Sequence, residues 1–313
     1  MTKPRPKVLI TDHTWPDTGV ERGILAELDA DVVEAPAADE ESLIEAARGA
    51  DAIITCFANV SERVIEAAGT GLRVIARYGT GVDNIDVGAA TARGIPVTYV
   101  PVYCVDEVAE HALALIFALE RGVTSYDRAS RGGGSALDTG LGTRRISGRT
   151  LGLIGGGRIG RAVEQRATAL GMSVLMHHPS GRDGSVPLPR LLAEADYVSL
   201  HLPLTDGTRH LVNHEFLAAM RPGSFLINTA RGPIVDTAAL AQALNDGPIA
   251  GAGLDMVDDA ESAAGHAVLE HPRTIVTPHV AFYSDESIAS LADQAARSVV
   301  DVLTGREPAN TVS

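Results

Sequence analysis

The sequence predicts an α/β protein made of two Rossmann-like units, each with a doubly wound parallel sheet. Short apolar runs typical of buried strands alternate with segments typical of helices along most of the 313 residues, and this favours parallel sheets that are covered on both faces. A glycine-rich turn at residues 155–160 lies between a predicted strand and a predicted helix near the middle of the chain. Sheets of this kind bind their ligands at the carboxyl ends of the strands.

The N-terminal part of the chain alternates regularly between strands and helices. Apolar runs predict strands at residues 8–10, 31–34, 52–55, 73–76 and 97–100. Helices are predicted between them at residues 24–28, 40–48 and 63–68. This part lacks a G-x-G-x-x-G pattern, although a second glycine loop, Arg77-Tyr-Gly-Thr-Gly81, follows one of the strands.

The rest of the chain resumes the alternation after one long helix and one loop. Residues 106–120 are almost continuous in Ala, Leu, Ile and Val, and they predict a helix that is buried between the two units. Residues 131–148 are rich in Gly, Ser and Thr and predict a loop. The remaining predicted strands are 151–154, 172–176, 197–202, 224–228, 250–255 and 274–277, and the remaining helices are 161–170, 236–244 and 284–303.

Composition excludes several classes of protein. The net charge of −14 argues against a general nucleic-acid binder, which needs a basic face. The apolar runs are too short for a membrane span, and the basic first residues lead into a strand that is too short for a signal peptide. The two cysteines, Cys56 and Cys104, are too few for a disulfide framework and lack metal-binding spacing. We therefore expect a cytoplasmic protein with buried structural thiols and no bound metal.

The glycine turn predicts a dinucleotide site. Gly155, Gly157 and Gly160 fit the pattern G-x-G-x-x-G between a strand and a helix. Such a turn brings backbone N–H groups and the positive end of the helix against a pyrophosphate. A glycine-rich turn that only joins two packed elements is the alternative. Two facing sheets also suggest a cleft, with the cofactor on one wall and the substrate on the other.

Six segments, taken in order along the chain, resemble the D-isomer-specific 2-hydroxyacid dehydrogenase family. The first and the last of them look like the branch that contains the C-terminal-binding proteins and phosphoglycerate dehydrogenase-like proteins. The segments are Arg77-Tyr-Gly-Thr-Gly-Val-Asp-Asn-Ile-Asp86, the turn at 155–160, His201-Leu-Pro-Leu-Thr205, Asn228-Thr-Ala-Arg-Gly232, Gly253-Leu-Asp255 and Thr277-Pro-His-Val-Ala281.

The resemblance implies the reaction and the domain organisation. The reaction is a hydride transfer between a nicotinamide cofactor and C2 of a 2-hydroxy or 2-keto acid. Residues 1–101 and 284–313 would form the substrate domain, and residues 102–283 would form the dinucleotide-binding domain. The expected partners are a small anionic substrate and a second copy of the chain, paired through the cofactor domain, with no nucleic acid and no membrane.

His279 and Arg231 are the expected catalytic residues. Reduction of a ketone develops negative charge on the carbonyl oxygen, and a histidine can supply the proton that this oxygen then needs near neutral pH. His279 matches the family's Pro-His step. Arg231 matches the family's arginine, whose planar fork can bind the substrate carboxylate and polarise the carbonyl. A structural ion pair is the alternative for Arg231.

The expected substrate contacts come mainly from the first glycine loop. Arg77 would be a second anion contact, as in the C-terminal-binding proteins, and backbone N–H groups of the loop could form an anion nest. Aromatic residues would line a pocket for an apolar or aromatic group, with simple core packing as the alternative. The expected substrate-binding residues are Arg77, Tyr78, Gly79, Thr80, Gly81 and Phe282.

The expected cofactor contacts follow from the family's motifs in residues 102–283. Asp255 resembles the family's carboxylate near the nicotinamide, and its alternative role is to end its strand. The expected cofactor-binding residues are Gly155, Gly157, Arg158, Ile159, Gly160, His178, Ser180, Arg182, His201, Leu202, Pro203, Thr208, Thr229, Ala230, Arg231, Asp255, His279 and Ala281.

The chain departs from the family at the glutamate that usually pairs with the catalytic histidine. That carboxylate orients the imidazole and favours its protonated form. Without a gap, Ala260 takes the position of the glutamate and Glu261 takes that of the proline after it. Two interpretations stay open: Glu261 substitutes for the glutamate, or His279 works without a partner of the family's type. Our hypothesis is that Glu261 substitutes, because the missing proline leaves its backbone freer.

The chain also departs from the family where the cofactor is selected. An NAD enzyme usually carries Asp or Glu at the end of the second strand of its Rossmann unit, where the carboxylate binds the ribose 2′-hydroxyl. Here His178 takes that place, and the next carboxylate is Asp183. A 2′-phosphate would therefore meet no repulsion, and Ser180 and Arg182 could bind it. The expected cofactor is NAD or NADP, with a preference for NADP; the alternative is that His178 binds the ribose of NAD.

Two other functions stay open. The missing glutamate would suit a nicotinamide-nucleotide-sensing binding protein with little catalysis, which is how the C-terminal-binding proteins use this fold. Alternatively, the dehydrogenase would act on a non-carboxylate anion such as a phosphonate, because Arg77 and Arg231 suit a doubly charged group.

Overall fold

The structure is a computed structural model that describes residues 5–133, 142–179, 181 and 184–312. These residues form two compact units, each built around a six-stranded sheet. The predicted α/β class, with two doubly wound parallel sheets, is confirmed. Within the described residues, no helix is both long enough and apolar enough to cross a membrane.

The first unit is built from two separate segments of the chain, and the second unit from one continuous segment. The first unit comprises Met1–Tyr103 together with Ser284–Ser313, and the second comprises Cys104–Tyr283. The first boundary thus falls after Tyr103 and not after the predicted residue 101.

The elements alternate as strand and helix in both units. The described strands are β1 (Lys7–Ile10), β2 (Asp31–Glu34), β3 (Ala52–Thr55), β4 (Val74–Arg77), β5 (Val97–Thr98), β6 (Thr150–Ile154), β7 (Ser173–His177), β8 (Tyr197–Leu200), β9 (Phe225–Asn228), β10 (Gly251–Leu254), β11 (Thr274–Val276) and β12 (Thr311–Val312). The described α-helices are α1 (Gly19–Leu25), α2 (Glu40–Ala47), α3 (Glu62–Ala68), α4 (Val87–Ala92), α5 (Val105–Glu120), α6 (Val123–Arg131), α7 (Arg158–Ala169), α8 (Leu188–Glu194), α9 (His214–Ala219), α10 (Thr237–Asp246), α11 (Ala263–Glu270) and α12 (Asp285–Thr304).

The sheet of the first unit has the order β2-β1-β3-β4-β5-β12, and only β12 runs antiparallel to its neighbour. Every residue of β3 and β4 is buried, because helices cover both faces of the sheet. On one face Leu25 of α1 and Leu291 of α12 share a core cluster, and on the other face Leu43 of α2 and Val64 of α3 share a second cluster. The connections reverse direction between β1 and β3, which makes the carboxyl ends of these strands the switch point.

The sheet of the second unit has the order β7-β6-β8-β9-β10-β11, and all of its strands are parallel. One face packs against α5 and α7, whose Leu113 and Val163 belong to one core cluster. The other face packs against α8 to α11, whose Leu191 and Leu240 belong to another. The switch point of this sheet lies between β6 and β8, where the glycine turn follows β6.

Helix α5 is the long apolar helix that the sequence predicts. Within the second unit it packs against α7, β9 and β10. Its buried side includes Ala112, Leu115 and Ile116. Asp106 and Glu107 lie in its first turn, where negative charge is favourable next to the helix dipole.

The structure corrects several details of the predicted elements. Helix α7 begins at Arg158 and not at residue 161, because Gly157 is its N-cap and the helix starts directly after the turn. The sequence did not predict α4, α6, α8, α9, α11 and β12, each of which is nine residues long or shorter. Arg131 of the predicted loop ends α6, and residues 134–141 of that loop lie outside the described residues.

Candidate active site

The glycine turn of the second unit needs glycine at two positions. Gly155 has φ +108°, and a Cβ at this position would collide with the carbonyl oxygen of His201. A Cβ at Gly160 would collide with the carbonyl oxygen of Gly155. By contrast, a Cβ at Gly157 would meet no atom within 4 Å. The turn therefore packs tightly against the loop after β8 and leaves open space in front of the first residues of α7.

The loop after β8 lies beside the glycine turn, at the carboxyl ends of the strands of the second sheet. Ser199 Oγ lies 2.9 Å from His201 Nε2. Burial lowers the pKa of His201 to about 4, so the imidazole is neutral at neutral pH. Further along, the Thr208 hydroxyl donates to the Pro203 carbonyl at 2.7 Å and thereby closes the loop. Pro203 is exposed, and Leu202 is half-buried.

The loop after β9 is held by a buried asparagine. The amide of Asn228 donates to the Arg231 carbonyl at 2.8 Å and accepts from the Ala230 N–H at 3.0 Å. This fixes the chain direction at Arg231, which is half-buried and whose Nη1 donates to the Ala230 carbonyl at 2.8 Å. Thr229 between them is 8% exposed, and its buried hydroxyl oxygen has no hydrogen-bond partner among the described residues.

Asp255 anchors the loop after β11. Its side chain is fully buried, and Oδ1 accepts from Thr277 Oγ1 at 2.6 Å and from the Val280 N–H at 3.0 Å. Its Oδ2 accepts from the Ala281 N–H at 2.9 Å. The backbone carbonyl of Asp255 also accepts from the His279 N–H at 2.6 Å. The Asp255 carboxylate therefore accepts three hydrogen bonds from the loop that contains His279.

His279 has an unusual backbone conformation. Its φ is +56°, in the left-handed region that a residue with a side chain rarely adopts. Strain of this kind costs about 1–3 kcal/mol, and it persists only where the surroundings enforce it. The imidazole meets the ring of Phe282 edge to face, with 6.0 Å between the ring centroids. Phe282 itself is 7% exposed, so its ring supports His279 from the protein side.

Glu261, in the segment where the chain departs from the family's catalytic pattern, is exposed. Glu261 directly precedes Ser262, whose hydroxyl accepts from the Gly265 N–H at 2.9 Å and caps α11. The side chain of Glu261 is exposed, and no hydrogen bond or ion pair joins it to another residue in the part of the chain that the structure describes. Its partnership with His279 stays a hypothesis.

In the first unit, the loops after β1 and β3 are tied together. The Asp12 carboxylate accepts from the N–H of Cys56 at 2.9 Å and from that of Phe57 at 2.7 Å. Nearby, Arg77 is 7% exposed, and its Nε donates to Asn84 Oδ1 at 3.0 Å. The guanidinium carbon lies 5.9 Å from the centroid of the Phe57 ring. Burial raises the pKa of Cys56 to about 12, so its thiol stays protonated.

The glycine loop after β4 carries the buried side chain of Tyr78. Gly79 has φ +141° and lies against the Arg77 guanidinium, while Thr80 is exposed and Gly81 is half-buried. Tyr78, however, is 1% exposed, and its hydroxyl donates to Glu21 Oε1 at 2.7 Å. The Tyr78 ring therefore lies in the core of the first unit, and its contact with a substrate stays a prediction.

The end of β7 carries the predicted cofactor-selecting residue. The N–H of His178 donates to Ser185 Oγ at 2.9 Å, so the loop folds back on the strand end. Neither β7 nor the two residues after it contain a carboxylate. Ser180 and Arg182, which the sequence analysis assigned to a 2′-phosphate, lie outside the described residues.

The sequence analysis did not single out His111, whose side chain contacts the hydrogen bonds around Asp255. His111 Nε2 on α5 lies 2.9 Å from Thr277 Oγ1 and 3.7 Å from Asp255 Oδ1. The available indication was a histidine that directly precedes the apolar run at residues 112–119 of this helix. It was overlooked because the helix was interpreted only as a packing element.

Comparison with known proteins shows to which family this arrangement belongs. A family model described as the NAD-binding domain of D-isomer-specific 2-hydroxyacid dehydrogenases matches residues 113–281. The chain belongs to this family. A glyoxylate reductase of Korarchaeum cryptofilum is 36% identical to it over 322 aligned positions, which cover 99% of this chain and 96% of the relative. This 2-hydroxyacid dehydrogenase is therefore an NAD(P)-dependent enzyme.

Two solved structures of 2-hydroxyacid dehydrogenases are similar over nearly the whole chain. D-lactate dehydrogenase of Aquifex aeolicus, in complex with NAD and lactic acid, is 29% identical with a TM-score of 0.88, and the match covers 97% of this chain and 98% of that one. An NADPH-dependent glyoxylate/hydroxypyruvate reductase of Sinorhizobium meliloti, in complex with NADP and malonate, is 30% identical with a TM-score of 0.87, and the match covers 99% and 97%.

The residues of the second unit fit a nicotinamide dinucleotide. The crowded glycines at 155 and 160 let the backbone turn sharply, and the open space at Gly157 lies where α7 presents N–H groups that have no partner within the helix. The hydroxyl of Thr229 is buried without a hydrogen-bond partner among the described residues, as expected of a group that meets a ligand. Arg158 is exposed, Ile159 is half-buried and Ala281 is buried.

The glycine turn makes a prediction about stability. Gly155→Ala should lower the free energy of unfolding by about 2 kcal/mol or more, because the new Cβ meets the His201 carbonyl in a strained conformation. Gly157→Ala, the matched control, should cost about 1 kcal/mol or less, the usual preference for glycine over alanine at an N-cap. Urea unfolding of both variants measures the difference, and equal stabilities would contradict the tight contact.

Proposed function

We propose that this dehydrogenase reduces the C2 carbonyl of a small 2-keto acid, with His279 as the proton donor and Arg231 as the ligand of the substrate carboxylate. The observation that supports this most is the attachment of the His279 loop to the buried Asp255 carboxylate. Efficient proton transfer needs a donor that is held in one position relative to the oxygen that it protonates.

The chemistry assigns a distinct step to each side chain. When bound, the nicotinamide cofactor supplies the hydride that adds to C2. The carbonyl electron pair moves onto the oxygen, and the protonated imidazole of His279 donates its proton to that oxygen. The products are a 2-hydroxy acid and a neutral imidazole, which accepts the hydroxyl proton in the reverse direction. Arg231 holds the carboxylate through paired N–H groups and stabilises the developing negative charge.

The carboxylate partner of His279 is proposed to be Glu261. Its side chain is exposed, so the partnership requires the side chain to turn inward when the substrate binds. The absence of the family's proline after the glutamate position supports this, because the backbone is less restricted there.

The first unit is proposed to supply further contacts to the substrate. Arg77 would act as a second ligand of the anion, and the N–H groups of Gly79, Thr80 and Gly81 would surround it. Phe282 would offer an apolar surface, although its contact with His279 also gives it a role in packing.

The substrate class is proposed from the reactions for which relatives are named. Two similar proteins are named for glyoxylate and a third for D-lactate. We propose 2-keto acids of two or three carbons, such as glyoxylate, hydroxypyruvate and pyruvate. The alternatives are a dehydrogenase that acts on a phosphonate and a sensing protein that binds the cofactor without turnover. An assay of the 2-keto acid panel separates the proposal from both, because only the proposal predicts reduction of these acids.

The resemblance to the family also supports two proposals about the whole protein. We propose that it is cytoplasmic and that it forms a homodimer through the second unit.

Removal of the proposed proton donor tests the reaction. His279→Gln should lower kcat for 2-keto acid reduction by about 10²–10⁴-fold, because the variant has no group to protonate the carbonyl oxygen. His214→Gln is the matched control, since this histidine is exposed on α9. Steady-state assays of both variants with the panel of 2-keto acids decide the matter. A His279→Gln enzyme that keeps more than about a tenth of kcat would overturn the assignment.

The choice of cofactor gives a separate prediction. NADPH should give a higher kcat/KM than NADH, because the end of β7 carries His178 in place of the carboxylate that would repel a 2′-phosphate. His178→Asp should shift the preference towards NADH by about tenfold or more, as expected for one charge placed beside the phosphate. A wild-type preference for NADH would reject this proposal and leave the proposed reaction intact.

A further inference from the structure

His111 is a partly buried polar side chain on α5 that reaches the buried Asp255 carboxylate of the candidate active site. Its Nε2 lies 2.9 Å from Thr277 Oγ1 and 3.7 Å from Asp255 Oδ1. Its neighbour Ala112 is fully buried in the core of the second unit, and the side chain of His111 is 23% exposed. The packing of α5 against β10 and β11 therefore fixes the position of the imidazole.

The direction of the hydrogen bonds follows from the chemistry of the three groups. The Thr277 hydroxyl has one proton, and it lies 2.6 Å from Asp255 Oδ1. A carboxylate can only accept, so the hydroxyl donates to Asp255 and keeps its lone pairs for another donor. His111 Nε2 is that donor, which requires the tautomer with its proton on Nε2. The result is a directed chain from His111 through Thr277 to Asp255.

We infer that His111 is a positioning residue for His279, acting through Thr277 and Asp255. This inference rests on the proposed role of His279 as the proton donor. The N–H of His111 commits the Thr277 proton to Asp255 and so completes the set of donors that holds the carboxylate. That carboxylate accepts from Thr277 before His279 in the chain and from the N–H groups of Val280 and Ala281 after it. Held on both sides, the backbone of His279 is kept in its left-handed conformation.

Three substitutions separate a donor at Nε2 from simple filling of space. In His111→Gln the side-chain amide nitrogen replaces Nε2, whereas in His111→Asn it falls near the position of Nδ1. His111→Leu fills the space without any donor. Positioning through Nε2 predicts that Gln rescues the wild-type behaviour and that Asn and Leu do not. A role in packing or general polarity predicts no such split between the two amides.

Amide hydrogen exchange is the measurement that does not depend on activity. Peptides that contain residues 277–283 should exchange about tenfold faster in the Asn and Leu variants than in the wild type, and at the wild-type rate in the Gln variant. Peptides that contain β6 (Thr150–Ile154) serve as the internal control for global unfolding. Equal exchange at 277–283 in all four proteins, with β6 unchanged, would overturn the inference.

Steady-state kinetics then connects the loop to catalysis. The Asn and Leu variants should lose about tenfold in kcat, because the loop carries the proton donor, and the Gln variant should keep the wild-type kcat. If the exchange pattern holds and kcat is equal in all four proteins, the positioning role is overturned. If the wild type shows no turnover but the exchange pattern holds, the proposed reaction fails while the link from His111 to the loop stands.

Discussion

The buried carboxylate of Asp255 is the interaction on which the candidate active site depends. It lies at the carboxyl end of β10, where the parallel sheet is rigid, and it accepts hydrogen bonds from Thr277, Val280 and Ala281. A buried charge without partners is strongly unfavourable, so the loop gains stability by closing on it. The hydrogen bonds to this carboxylate thereby hold the backbone of His279 in a strained conformation. The local sequence alone would not favour that conformation.

Both units use the same principle at their switch points. In the second unit the turn after β6 packs directly on the loop after β8, through the contact of Gly155 with the His201 carbonyl. In the first unit the Asp12 side chain after β1 binds two N–H groups of the loop after β3. Each pair of loops lies where a doubly wound sheet leaves a crevice, and cross-linking the pair fixes the shape of that crevice before any ligand arrives.

The sequence predicted the features that depend on local pattern. Strand and helix alternation predicted both sheets, and the G-x-G-x-x-G pattern between a predicted strand and a predicted helix placed the turn at residues 155–160 correctly. Other features depend on partners distant in the chain. The burial of Tyr78 against Glu21, the bond from His111 to Thr277 and the exposure of Glu261 are set by tertiary packing, which a motif does not encode. The early start of α7 follows from the cap at Gly157, which periodicity alone does not locate.

A crystal structure of the Asp255→Ala variant tests most directly whether this carboxylate holds the loop after β11. Alanine keeps the strand but removes every acceptor that the side chain offers to the loop. We predict that β10 and β11 keep their positions, that the segment 277–281 changes its path, and that His279 leaves the left-handed region for a negative φ. A variant in which His279 keeps φ near +56° and the loop keeps its path would contradict the claim that this carboxylate holds the His279 loop.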